Sequence, residues 1–159
     1  MSSVRLFFAL SSLIGLRLTH GDVPNAYMKG LLHELIYMKS PRELGVEAGK
    51  VLKLLKPLYG LKQSVRCWNG TMNENIITLG FINSRLDPCI YYKRGKKERV
   101  MFLGLYVDDV LIAFHDEEEL HDVTLNLEER YSIKMLGPVK KFLGIAVHET
   151  SRSNYLSRA

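Results

Sequence analysis

Residues 104–114 read GLYVDDVLIAF, with two adjacent carboxylates, Asp108 and Asp109, inside an otherwise apolar run. Neighbouring negative charges repel each other and resist burial. Aspartate is also a good turn residue, so VDD reads equally well as the loop of a hairpin. The arms VMFLGLY and VLIAF are apolar at nearly every position, which predicts strands covered on both faces and a tip shielded from bulk solvent. Two close carboxylates in such a place call for a cation. Magnesium takes oxygen ligands and commonly uses one or two carboxylates plus substrate phosphates. Two ions about 3.5–4 Å apart are the usual apparatus for in-line attack at phosphorus. Such a site needs a further carboxylate, and Asp22 is the strongest candidate because it also closes a predicted strand. Asp87 and Asp116 rival it by chemistry alone. DPC at Asp87 reads as a turn, and Asp116 with Glu119 reads as a helix capping box.

Working outward from the hairpin, PCIYYKRGKKERVMFLGLYV predicts a second hairpin around Gly95. Leu120, Val123, Leu127 and Tyr131 form the apolar stripe of a helix behind Asp116. Trp68, Met72, Ile76 and Leu79 mark another helix, closed by Gly80. YSIKML is a short strand, GP at Gly137 and Pro138 a turn, KFLGIAVHE a further strand, and NYLSRA the start of another element. HELIYMK and GKVLKLLKPL are short strands, the second ended by Pro57. An N-terminal helix over roughly 3–15 would bury Leu6, Leu10, Leu13 and Leu16, which recur at three- and four-residue steps. LRLTHGDV follows as a strand, stopped by Pro24. Interleaved strands and helices with hairpin links predict an α+β domain: a mixed, mostly antiparallel sheet with helices packed on one face. No linker or repeat divides the chain, so residues 1–159 read as one domain.

The 159 residues carry a net charge of +5, which suits a polyanionic partner without requiring one. KRGKK at 93–97 reads as a solvated turn. Cys67 and Cys89 have no zinc spacing and read as buried free thiols. The apolar N-terminal run also has the shape of a signal-peptide core, and NGT at Asn69 is a formal glycosylation sequon, but no small-residue cleavage site follows. No apolar run is long enough to span a membrane.

YVDD between apolar strands resembles the catalytic hairpin of reverse transcriptases. DVPNAY at 22–27 resembles their first catalytic motif, and LKPLYGLKQSVRCW at 55–68 resembles a signature of the copia-type retrotransposon polymerases. DPCIYYK and KFLGI are further matches in order. Val65 stands where the family usually has proline. The resemblance implies a polymerase palm with part of the fingers, the thumb and RNase H lying outside the chain. It implies that Asp22, Asp108 and Asp109, with the Val23 carbonyl, hold two magnesium ions, manganese being a substitute. It makes Tyr27 a wall against a 2′-hydroxyl, and Gly60 and Lys62 part of the nucleotide site. Arg66, Tyr106 and the Phe142–Leu143–Gly144 loop would meet primer and template. The implied partners are an RNA or DNA template with its primer, a deoxynucleoside triphosphate, and the remainder of a retrotransposon polyprotein. No membrane is implied, and the implied setting is intracellular: cytoplasm, virus-like particle or nucleus. Each assignment has a plain structural counterpart: a half-buried tyrosine for Tyr27, a strand-to-helix turn for YGLKQ, a solvated helix face for Lys62 and Arg66, and a buried strand for residues 142–144.

Three functions follow for comparison. The first is RNA-directed DNA polymerase. The second is a catalytically inactive nucleic-acid-binding remnant of the same fold, and for the isolated chain little or no primer extension is expected. The third, a secreted binding protein, rests only on the N-terminal run and the sequon.

Overall fold

The computed structural model describes residues 2–47, 49–95, 98–149 and 154–158. In chain order its elements are α1 (Ser2–Leu13), β1 (Arg17–Asp22), α2 (Ala26–Lys29), β2 (Tyr37–Lys39), a 3-10 turn (Arg42–Leu44), β3 (Val51–Lys53), α3 (Ser64–Thr78), β4 (Ile82–Asn83), β5 (Ile90–Arg94), β6 (Val100–Tyr106), β7 (Asp109–Phe114), α4 (Glu117–Tyr131), β8 (Lys134–Pro138), β9 (Lys141–Phe142), β10 (Ile145–Glu149) and β11 (Asn154–Arg158). The chain divides into two compact units, Met1–Pro24 with Asn75–Ala159, and Asn25–Glu74, the division falling within α3.

The first unit is built on a six-stranded sheet in the order β4-β5-β6-β7-β1-β8. Among the described residues its strand pairings are all antiparallel, so the α+β expectation holds. The expected single helical face does not. Strand pleating sends alternate side chains to opposite faces. Leu18, Leu111 and Ala113 share one face and pack with Val4, Phe7 and Phe8 of α1. Lys93 lies on the other face, where Glu119 and Asp122 of α4 act on it. The apolar arms flanking the hairpin are therefore covered on both sides, by α1 on one and α4 on the other. A three-stranded sheet, β11-β10-β9, completes the unit.

The α1 stripe is a second correction. The helix buries Val4, Phe7, Phe8 and Ser11, whereas Leu6, Leu10 and Leu13 are exposed, Leu13 to 81%. The helix is apolar on two faces, so three- and four-residue spacing alone selected the wrong one. The bulky rings take the sheet because they bury more area there, each fully buried large side chain contributing about 1.5–3 kcal/mol.

Two loop assignments also change. Gly137 and Pro138 are the end of β8 rather than a turn. They lie opposite Thr19 and His20 at a register shift in the β1–β8 pairing, and Gly137 there adopts φ +81°. KFLGIAVHE is two strands, β9 and β10, joined by Leu143 (φ 49°) and Gly144 (φ 78°). Apolar alternation continues across that turn, which hid it. The predicted cap at Asp116 is present: its side chain accepts from the N–H groups of Glu118 and Glu119 at 2.9 and 3.2 Å. The hairpin at Gly95 closes through its N–H donating to the Arg99 carbonyl at 2.7 Å, while Lys96 and Lys97 lie outside the described residues. Both cysteines are free and half-buried. No helix among the described residues is long and apolar enough to cross a membrane.

The second unit holds α2, the antiparallel β2–β3 ribbon and the start of α3. Gly30 lies against α3 so closely that a Cβ there would meet the Trp68 backbone nitrogen at 2.9 Å. That approach leaves Trp68 and Met72 fully buried.

Candidate active site

The hairpin that carries Asp108 and Asp109 is a two-residue turn. Tyr106 pairs with Asp109, leaving Val107 and Asp108 as the loop. Val107 adopts φ 55°, a conformation that a β-branched side chain rarely takes. Tyr106 and Val107 are 46% and 38% exposed, so the tip is more open to solvent than its apolar arms suggest. Coverage by α1 and α4 stops short of the turn.

Asp22 pairs directly with Asp109 across β1 and β7. Directly opposed residues share a face, with Cβ atoms about 4.5–5.5 Å apart. The Val23 N–H donates to the Asp108 carbonyl at 2.8 Å, extending the ladder by one bond and fixing the turn against β1. Asp22, Val23, Tyr106, Asp108 and Asp109 are thus drawn to one end of the sheet from positions far apart in sequence. Burial raises the Asp109 carboxyl above its ordinary range, and the charges of Asp22 and Asp108 push it the same way, while His20 pulls it down.

Two contributors escaped the sequence reading. His20 sits two residues before Asp22 on the same face, and period-two alternation is the signal that finds it. Its Nδ1 lies 3.2 Å from the Gly137 carbonyl. Gly21 points to the other face, where a Cβ would meet Ile133 Cδ1 and Met135 Sδ at 2.9 Å. A glycine inside a strand signals such close approach. It lets β8 lie tightly beside the strand that carries Asp22.

Phe142 is committed to the core, 6.2 Å from Phe8 between ring centroids. Leu143 packs against the same cluster, and Gly144 is exposed at the turn. In the second unit, Tyr27 packs against Tyr59, the rings tilted by 44° with centroids 4.4 Å apart. Gly60 adopts φ +94° with open space around it, and Lys62 and Arg66 are exposed. Gln63 of the same motif donates to Glu34 at 3.0 Å. Asn69 lies within α3 rather than in a surface loop.

Among the described residues, no three His, Cys, Asp or Glu side chains form a ready-made metal cage. Magnesium does not need one, since it keeps several waters and shares its shell with substrate phosphates. The donors here are all oxygen and mutually repelling, which is the chemistry that a hard divalent ion neutralises. The arrangement fits such an ion.

The antiparallel sheet thus sets paired carboxylates at a hairpin and on its neighbouring strand. The chain belongs to the reverse transcriptase (RNA-dependent DNA polymerase) family, whose model matches residues 1–159, and within it to the copia type. It is 35% identical over 162 residues to the retrovirus-related Pol polyprotein from transposon TNT 1-94 of Nicotiana tabacum, covering 99% of this chain and 12% of that protein. It is 36% identical over 141 residues to the Pol polyprotein from transposon RE1 of Arabidopsis thaliana, covering 86% and 9%. The putative transposon Ty5-1 protein of Saccharomyces cerevisiae is 32% identical over 135 residues, covering 84% and 44%. The chain therefore spans only a fraction of the length of these relatives. No solved structure matches it.

Proposed function

We propose that residues 1–159 carry the catalytic segment of an RNA-directed DNA polymerase, which joins a deoxynucleotide to a primer 3′-hydroxyl and releases pyrophosphate. In this reading the sheet unit is the palm and residues 25–74 are part of the fingers. Asp22, Asp108 and Asp109, with the Val23 carbonyl, hold two magnesium ions, or manganese in their place. When bound, the ions neutralise the triphosphate and favour the ionised primer hydroxyl.

The chain's own residues do the positioning. The β1–β7 register keeps Asp22 opposite Asp109, and the Val23–Asp108 bond steadies the turn. Tyr106, on the rim of the hairpin, contacts the primer strand. Phe142 anchors the β9–β10 turn so that Leu143 and Gly144 brace the primer end. Tyr27, supported by Tyr59, is the rigid wall that a deoxyribose clears and a ribose does not. Gly60 lets the nucleotide approach the backbone, Lys62 meets its phosphates, and Arg66 meets the template backbone.

The observation that supports this reading most is the direct pairing of Asp22 with Asp109. Its test is a chimera in which residues 1–159 replace the matching segment of the tobacco Pol polyprotein. Primer extension is expected from the chimera, falling at least about 100-fold in Asp108→Asn, as for loss of a fixed electrostatic group. A chimera that folds, binds primer–template and extends nothing would identify an inactive nucleic-acid-binding segment instead.

A further inference from the structure

The net charge is unevenly divided. Residues 25–74 hold eight Lys and Arg against four Glu, a net +4 out of the chain's +5. Two of those four acids already have partners: Glu47 pairs with Lys50, and Glu34 accepts from Gln63.

The β2–β3 ribbon displays part of that charge on one surface. Tyr37 pairs with Lys53 and Lys39 with Val51, while Met38 pairs with Leu52 between them. Alternation puts Tyr37, Lys39, Val51 and Lys53 on one face, and all four are exposed, Tyr37 to 57% and Val51 to 55%. The Leu54 N–H donates to the Ile36 carbonyl at 2.9 Å, continuing the ladder by one bond. Leu35 and Leu55 are exposed just beyond it. The face holds two lysines, a tyrosine ring and aliphatic side chains, and among the described residues of the ribbon there is no acid.

Soluble chains seldom leave a tyrosine, valine and leucines together in water without use for them. Lysines interleaved with a flat ring match one ligand chemistry well: phosphates for the ammonium groups, and a base for the ring. A duplex hides its bases and would leave Tyr37 idle, whereas a single strand offers them. We infer that the outer face of the β2–β3 ribbon is a contact surface for single-stranded nucleic acid, with Lys39 and Lys53 on the backbone and Tyr37 stacked on a base. The inference rests on the polymerase reading only for the source of that strand, an unpaired stretch of template.

The test is anisotropy of a labelled oligothymidylate with the 159-residue chain over a series of salt concentrations. Each single-strand phosphate contact contributes about 0.7 to the salt slope, so Lys39→Gln with Lys53→Gln should lower it by about 1.4. Tyr37→Ala should weaken binding about fivefold or more without changing the slope, and Tyr37→Phe should retain it. Arg85→Gln with Arg130→Gln makes the same charge change on exposed side chains of the first unit and should alter binding far less. Equal losses from both double variants would mean diffuse attraction and overturn the proposal. So would Tyr37→Ala dissociating a dimer in sedimentation while leaving anisotropy unchanged, because the face would then join two copies. All of these side chains are exposed, so circular dichroism should be unaltered. Binding that persists when the chimera fails to extend primers would sink the polymerase reading alone. Synthesis that persists when ribbon variants bind normally would sink this one alone.

Discussion

The two units handle apolar and charged side chains in opposite ways. The first balances its charges almost evenly, at fourteen Lys and Arg against thirteen Asp and Glu. It sets its three motif carboxylates at the end of a sheet whose strands are covered on both faces. The second carries most of the net positive charge and leaves the outer face of its small ribbon open. The contrast teaches where precision is needed. On the proposed reading the carboxylates share divalent ions and need a stiff frame, because a small displacement is costly when positioning supplies much of a rate enhancement. A surface that follows a flexible polyanion needs charge and a flat ring, and an exposed two-stranded ribbon suffices for those.

Substitutions in the two regions should therefore behave differently. The largest effect is expected from Phe8→Ala in the first unit, where a fully buried ring packs against Phe7 and Phe142. It should cost about 3–5 kcal/mol in denaturant unfolding, as other buried aromatic truncations do. Leu55→Ala in the second unit should stay within about 0.5 kcal/mol, since its side chain is already in water. Comparable losses at the two positions would erase the distinction between a packed frame and an open face.

The two close-packed glycines come next. Gly30→Ala meets main chain of α3, at 2.9 Å from Trp68 N and 3.0 Å from Cys67 C, and backbone cannot yield cheaply. We expect a loss near the upper end of the roughly 1–3 kcal/mol typical of overpacking. Gly21→Ala meets only side-chain atoms of Ile133 and Met135, which shift more readily than backbone, so its loss should be smaller. Urea midpoints of the two variants measure the difference, and the reverse order would mean that the β8 side chains are held more rigidly than the α3 backbone.

The smallest effect is electrostatic. Asp109 has its folded pKa raised above the ordinary 3.8, first by burial and then by Asp22 and Asp108. The folded chain therefore holds that proton more tightly than the unfolded chain does. Stability falls as pH rises from the unfolded value through the raised folded one, and the penalty is complete above it. With divalent ions chelated, Asp109→Asn should stabilise the protein at neutral pH by less than about 1 kcal/mol, because water screens a half-exposed carboxyl. The gain should vanish in acid, below the unfolded pKa. Thermal melts at the two pH values check this, and a destabilised Asp109→Asn at neutral pH would show that the carboxylate is held by partners that outweigh the repulsion.

Much of this was legible in the residues themselves. Apolar arms around VDD specify a hairpin because its alternatives strand two charges in a core. Asp116 specifies a helix start because its side chain satisfies otherwise orphaned N–H groups. These are local matters, decided within a few residues. Register and facing are different, because they depend on what lies across the sheet. Leu6, Leu10 and Leu13 have helical spacing as good as that of Val4, Phe7 and Phe8, and only the neighbouring strands select which set is buried. The same holds for the site. The sequence by itself marked Asp22 as a strand-closing carboxylate, 86 positions before Asp108. The antiparallel pairing of β1 with β7 then brought it opposite Asp109, because backbone hydrogen bonds between distant segments, and not spacing along the chain, determine which side chains meet.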